Sequence, residues 1–104
     1  MNLKEFQQWN KEFYNKRSWD KYNVFIRMNY LCEEVGELAQ AIRKYEIGRD
    51  RPDEIEKSKA ENMKDIKEEI GDIIDNLTVL VNKYDLSIDE ILENHISKIE
   101  GRFE

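Results

Sequence analysis

The chain has 104 residues, of which 38% are charged and 39% hydrophobic, and its mean hydropathy is -0.85. This length predicts one domain, residues 1–104, whose small core favours assembly with a second copy. The formal net charge of -6 disfavours binding to nucleic acid or to an anionic membrane, because cationic residues supply most of that affinity. An anionic polyphosphate stays possible if a divalent cation lies between the two sets of negative charge.

The sequence predicts no targeting segment. Its apolar stretches are only a few residues long, so they predict no transmembrane helix. The first residues lack a basic region followed by an apolar one, so we expect no signal peptide. Cys32 is the single cysteine and lies in an apolar-periodic stretch, which predicts a small core residue rather than a disulfide. These features favour a cytoplasmic protein.

The first half of the chain predicts two helices. Asn2 is a suitable N-cap for a helix to about residue 16, and a connector follows. Apolar residues then keep helical spacing for five turns, from residue 24 to about 45. The chain breaks at 46–53, where Gly48 suits a helix C-cap and Pro52 cannot continue a helix interior.

The second half predicts two more helices. Ser58 and Glu61 have capping-box spacing, and an apolar stripe continues to about residue 84. A second capping box, Ser87 with Glu90, begins a last helix that runs through Ile99. The pattern contains no clear strand. It predicts an all-α fold, an antiparallel bundle of about four main helices that assembles as a homo-oligomer.

An acidic hexad is repeated on the two long helices. Residues 33–38, Glu-Glu-Val-Gly-Glu-Leu, recur as Glu-Glu-Ile-Gly-Asp-Ile at 68–73. At about 100° per residue, the second and fifth residues of each hexad lie together beside the apolar stripe. Antiparallel packing of these helices would bring four carboxylates together: Glu34, Glu37, Glu69 and Asp72.

Such a cluster needs a counter-ion, because like charges in a partly buried site repel strongly. Mg²⁺ suits it, since this ion is bound by a few carboxylates and takes further ligands from water and substrate phosphates. A softer metal would require His or Cys, and the chain has one of each. Gly36 and Gly71 each cost about 1 kcal/mol inside a helix, which predicts close approach of a neighbouring helix.

The two acidic motifs resemble the EExxE…ExxD signature of MazG-like proteins, in the all-α nucleoside triphosphate pyrophosphohydrolase superfamily. Lys98, Arg102 and Phe103 are similar to the family's closing Lys-x-x-x-Arg-Phe element. The resemblance implies a homodimer or homotetramer that cleaves a nucleoside triphosphate between the α- and β-phosphates. It implies a role in cleaning the nucleotide pool, with phosphoribosyl-ATP or dUTP/dCTP as more specialised substrates.

The resemblance also implies roles for the acidic residues. Mg²⁺, or Mn²⁺ in its place, would be held by the four converging carboxylates. Glu33 is interpreted as a catalytic group that orients water, and Glu68 as a solvated acid.

Lys98 and Arg102 are spaced i, i+4, so both can bind one phosphate, or they complement the helix macrodipole. Asn76 binds the sugar or phosphate, or it is a buried amide that fixes helix register. Arg49 and Arg51 lie in the break, where a loop could close over phosphates.

Two other classes compete with this interpretation. A ferritin-like di-iron bundle requires Glu-x-x-His pairs, and His95 has Leu92 at the i-3 position, so it is excluded. A non-catalytic helical adaptor with an acidic face stays open, although it explains neither the repeated hexad nor the interior glycines. The charged segment 46–61 has no assigned role.

Overall fold

A computed structural model describes residues 1–103, and these form four α-helices and no strand. The helices are α1 (Leu3–Lys16), α2 (Val24–Ile47), α3 (Lys59–Lys83) and α4 (Ile88–Gly101). The predicted connector after α1 contains a short 3-10 helix, Trp19–Lys21. The all-α class predicted from the apolar periodicity is therefore confirmed. No helix in residues 1–103 is long and apolar enough to cross a membrane.

The helix ends follow the predicted capping residues. Ser58 Oγ accepts a hydrogen bond from Glu61 N at 3.1 Å, and Glu61 Oε1 accepts from Ser58 N at 3.4 Å, which completes a capping box. Asn2 and Ser87 cap α1 and α4 through their side-chain oxygens, which accept from the backbone N–H groups of Glu5 and Glu90. Gly48 ends α2 with φ +76°, a conformation that glycine adopts without steric cost.

The described chain divides into two compact units. The first comprises Met1–Arg27 and the chain from Leu77 onward. Asn82 of α3 donates to Asn10 Oδ1 at 3.1 Å and accepts from Gln7 Nε2 at 2.9 Å. Gln7 Oε1 in turn accepts from Ile88 N at 3.0 Å. These amides tie α1 to the end of α3 and to the beginning of α4.

The second unit, Met28–Asn76, is a helical hairpin. Asn62, which is 5% exposed, donates to the carbonyl oxygen of Lys44 at 3.3 Å near the closed end. Further from that end, the side chains of Glu34 and Glu69 lie side by side. Residues late in α2 therefore pair with residues early in α3, so the two segments run antiparallel.

Few apolar side chains are buried within this chain. In residues 1–103 the buried hydrophobic residues are Leu31, Ala41 and Val79. Val35 and Ile42, on the apolar stripe of α2, are 50% and 45% exposed. Cys32 is exposed on the same helix. The prediction that Cys32 is a core residue was wrong, because no part of the described chain covers it.

The hexad glycines also differ from expectation. A Cβ built at Gly36 or Gly71 would have no heavy atom within 4 Å beyond its chain neighbours and its own helix backbone, among the residues that the structure describes. The predicted close approach of a neighbouring helix is therefore wrong within this chain. Both glycines lie on exposed helix surface, where no packing contact requires a missing side chain.

Candidate metal centre

Three carboxylates converge inside the helical hairpin. Glu34 and Glu37 lie one turn apart on α2, so they share a face, and Glu69 reaches them from α3. One oxygen from each side chain lies within 4.8 Å of the others. Glu34 and Glu69 are half-buried and Glu37 is exposed, so the group opens to solvent on the Glu37 side.

Two carboxylate oxygens of this group, Glu34 Oε2 and Glu69 Oε2, are buried. Neither has a hydrogen-bond partner in residues 1–103. A buried anionic oxygen without a partner is costly, since it has lost water and gained nothing. Either a proton or a cation between the two side chains would remove that cost.

Proton affinities reflect this crowding. The pKa of Glu34 is raised to about 8, chiefly because its protonated carboxyl hydrogen-bonds Glu69, and also through burial and repulsion from Glu37 and Asp72. The hydrogen bond to Glu34 acts to lower the pKa of Glu69, but burial and repulsion from Glu37 outweigh it and raise that pKa. Without a cation, the pair therefore holds a proton near neutral pH.

The fourth predicted carboxylate lies beside this group. Asp72 is one turn beyond Glu69, is exposed, and stands outside the set of three within 4.8 Å. Its pKa is raised, first by partial burial of the carboxyl and then by repulsion from Asp75 and Glu37. The expected convergence of four carboxylates is thus observed for three. Sequence reasoning missed Asp75, which continues the spacing of acids every three residues.

Two other predicted residues on these helices face different partners. Glu33 is exposed, and its Oε1 accepts from Asn29 Nδ2 at 3.4 Å, so it lies outside the group of three. Asn76 is 9% exposed, and its Nδ2 donates to the carbonyl oxygen of Asp72 at 2.9 Å. The amide nitrogen of Asn76 is therefore bound to its own helix.

The predicted phosphate-binding cations belong to the first unit. Lys98 lies in the last turn of α4 and Arg102 is its C-cap residue, donating its backbone N–H to the carbonyls of Ile99 and Glu100. Both side chains are exposed. His95, on the same helix, is exposed as expected.

Comparison with known proteins identifies the family. A profile of the MazG nucleotide pyrophosphohydrolase domain matches residues 26–104, which include both acidic motifs. The chain belongs to the MazG family. The resemblance of the two motifs to that family is therefore confirmed.

Two similar proteins from Bacillus subtilis were found, one by sequence and one by structure. It is 49% identical to the "Uncharacterized protein YvdC" of Bacillus subtilis (strain 168), over 100% of this chain and 98% of that one. The crystal structure of the "putative pyrophosphatase YPJD" from Bacillus subtilis superposes with a TM-score of 0.72. At 23% identity, over 95% of this chain and 93% of that one, this match shows that the two proteins share a fold.

The donor set of the MazG-family chain fits a hard divalent cation. All three side chains offer carboxylate oxygens, and two of those oxygens are buried without a partner. Given Mg–O distances near 2.1 Å, adjacent ligands of octahedral Mg²⁺ are about 3.0 Å apart and opposite ligands about 4.2 Å apart. The three oxygens, which lie within 4.8 Å of one another, would therefore draw closer together on a bound ion.

The raised pKa of Glu34 predicts the pH dependence of stability without metal. Between pH 4.5 and about 8 the folded chain keeps a proton that the unfolded chain releases. The free energy of unfolding in EDTA should therefore fall as pH rises through this window. Thermal unfolding from pH 5 to 9 checks this.

Two variants test whether Glu34 causes this pH dependence of stability. Glu34→Gln should flatten the stability profile, since the residue that holds the proton is gone. Glu33→Gln should keep the wild-type profile, because Glu33 lies outside the group. A wild-type profile that is flat or rises across this window would contradict the assignment.

Proposed function

We propose that this chain hydrolyses nucleoside triphosphates in a Mg²⁺-dependent reaction, giving a nucleoside monophosphate and pyrophosphate. Membership of the MazG family supports the reaction class. The observation that carries the metal dependence is the convergence of three carboxylates with two unpartnered buried oxygens. We propose that Mg²⁺ is the resident ion, that Mn²⁺ can replace it, and that residues 1–104 form one functional domain.

Glu34, Glu37 and Glu69 would hold the ion, with Asp72 beside them as the fourth acid. A bound divalent cation would neutralise the triphosphate and lower the pKa of a water that attacks phosphorus. Glu34 would release the proton it shares with Glu69 when the cation enters. Glu37 and Asp72 are exposed, so nucleotide and water can reach the group from that side. Glu33 orients water in this proposal.

Side chains outside the group would bind the rest of the nucleotide. Lys98 and Arg102 are exposed and form no ion pair in residues 1–103, so their cations are available to a phosphate. Asn76 was a candidate for the sugar or phosphate. We now infer that it positions the turn that carries Asp72, because its amide nitrogen donates to that backbone.

The substrate can be general or specialised. A panel that contains phosphoribosyl-ATP, dUTP and dCTP distinguishes a nucleotide-pool cleaner from a dedicated enzyme. The adaptor hypothesis leaves the two buried oxygens without a donor unexplained, since binding a basic partner would need only exposed carboxylates such as those of Glu37 and Asp72.

Turnover should depend on Glu37. Replacement by Gln keeps the shape of the side chain and removes an anionic ligand, so turnover should fall by about 100-fold or more. The assay follows monophosphate and pyrophosphate from a panel of triphosphates, with Mg²⁺ and with EDTA. The helical circular dichroism of Glu37→Gln should match wild type.

The matched control is Glu46→Gln, an exposed acid near the end of the same helix. It should keep wild-type turnover. Release of orthophosphate and diphosphate would show that a different bond is cut. Undiminished activity of Glu37→Gln would remove this residue from the site.

We also propose that the chain functions as a homodimer or homotetramer. Cys32, Val35 and Ile42 on α2 are exposed, whereas the buried hydrophobic residues in 1–103 are few. Several exposed apolar residues on one helix are typical of an interface between subunits. A second copy would bury them and enlarge the core.

Ile42→Glu should therefore dissociate the assembly, because it places a charge on the stripe. Light scattering after size exclusion measures the mass, and the thiol of Cys32 should react faster in the variant than in wild type. Asn94→Glu adds the same charge on α4 and should keep the wild-type mass. A monomeric wild type would contradict this proposal.

A further inference from the structure

The segment that joins α2 to α3 is fastened to α2 through one carboxylate. Glu54 Oε1 lies 3.1 Å from Arg43 Nη2, and Glu54 Oε2 accepts from the backbone N–H of Asp50 at 3.2 Å. Arg51 Nε is 3.6 Å from Glu54 Oε1. The side chain of Glu54 is 9% exposed, so its ion pair with Arg43 is largely shielded from solvent within the hairpin. Arg51 lies in the loop that was predicted to close over phosphates, and it forms an ion pair with Glu54 instead.

Two cations near Glu54 can still bind a further anionic group. Arg43 Nη1 is buried and has no hydrogen-bond partner. Lys44 is half-buried and forms no ion pair among residues 1–103. Both residues line a cavity of about 250 Å³ that we call the Arg43 cavity. Its lining residues are Gln40, Arg43, Lys44, Asp50, Arg51 and Glu54.

The local electrostatics favour negative charge. Three cations and two acids surround the cavity. The pKa of Glu54 is lowered, first by the hydrogen bond from Asp50 N–H and also by Arg43 and Lys44. The carboxylate of Glu54 does not satisfy all the donors of these cations, since Arg43 keeps a buried N–H donor without an acceptor in residues 1–103.

We propose that the Arg43 cavity is a second anion site, which binds a phosphate group through the ammonium of Lys44 and through Arg43 Nη1. The side chain of Arg43 is 33% exposed, so its guanidinium can turn Nη1 toward the cavity when the anion enters. A guanidinium edge and an ammonium are the donors that proteins use for phosphate oxygens. Lys44 lies on the same face of α2 as Glu37, two turns or about 10 Å further along the axis. The phosphate would therefore come from a nucleotide held at the carboxylates or from free pyrophosphate.

A simpler role accounts for only part of this arrangement. Lys44 lies in the last turn of α2, where a cation complements the helix macrodipole. That role does not explain why Arg43 Nη1 is buried without a partner beside a cavity. Lys16 lies in the last turn of α1, is exposed and lines none of the cavities described, so it provides a matched control.

Calorimetric titration of inorganic pyrophosphate in EDTA tests the proposal. Without a cation the acidic group repels this anion, and the cavity variants distinguish binding at the Arg43 cavity from binding at Lys98 and Arg102. Wild type should bind, Lys44→Gln should bind about 10-fold more weakly, and Lys16→Gln should match wild type. Arg43→Lys keeps the charge that pairs with Glu54 but loses the second N–H edge, and it should also weaken binding. Absence of binding by wild type, or either cavity variant binding as tightly as wild type, overturns the proposal.

Steady-state kinetics of triphosphate hydrolysis identify the source of the phosphate, and this second experiment rests on the proposed function. If the site holds the nucleotide, Lys44→Gln raises KM for the triphosphate and leaves kcat near wild type. If it holds free pyrophosphate, KM stays the same and inhibition by added pyrophosphate is lost. The calorimetric arm needs no turnover, so failure of the proposed reaction and failure of the anion site are distinguishable.

Discussion

Repulsion among the carboxylates of Glu34, Glu37 and Glu69 is the constraint on which this hairpin depends. Three groups of one charge lie within 4.8 Å, and two of their oxygens are buried without donors. Such an arrangement persists only if the surrounding helices hold it and if a positive charge offsets it. The hydrogen bond to Glu69, together with burial and repulsion from Glu37, raises the pKa of Glu34 to about 8, so in the metal-free chain a proton supplies that charge.

The hairpin supplies the rigidity that this repulsion requires. The capping box of Ser58 and Glu61 fixes the beginning of α3, and Asn62 binds the last turns of α2. Glu54 fastens the connecting segment to Arg43. These contacts lie at the closed end and fasten together the two helices that carry the carboxylates.

Local rules predicted much of this arrangement. Helix ends follow from capping residues such as Ser58 and Gly48, which act within a few positions of the chain. The pairing of Glu34 with Glu37 follows from the helical period, and the repeated hexad predicted that Glu69 would meet them.

The sequence could not predict features that depend on how helix surfaces pack against one another. Cys32 lies in an apolar pattern typical of a core, yet nothing in the described chain packs on it. Gly36 is the residue type expected at a close helix crossing, yet a Cβ built there meets no atom of another segment within 4 Å in residues 1–103. Asp72 has the register of a ligand and interacts with Glu34 across the hairpin, but it stands outside the group of three within 4.8 Å. Periodicity predicts which helix face carries a carboxylate, but it does not give the distances between side chains on two helices.

The most direct test of whether these carboxylates hold a divalent cation is calorimetric titration of Mg²⁺ at pH 7 in two buffers of different ionisation enthalpy. Wild type should bind Mg²⁺ saturably with release of a proton, and Glu34→Gln should bind it more weakly, since a ligand is lost, and without that release. Absence of Mg²⁺ binding, or identical binding and proton release in both proteins, would contradict a cation site at these carboxylates.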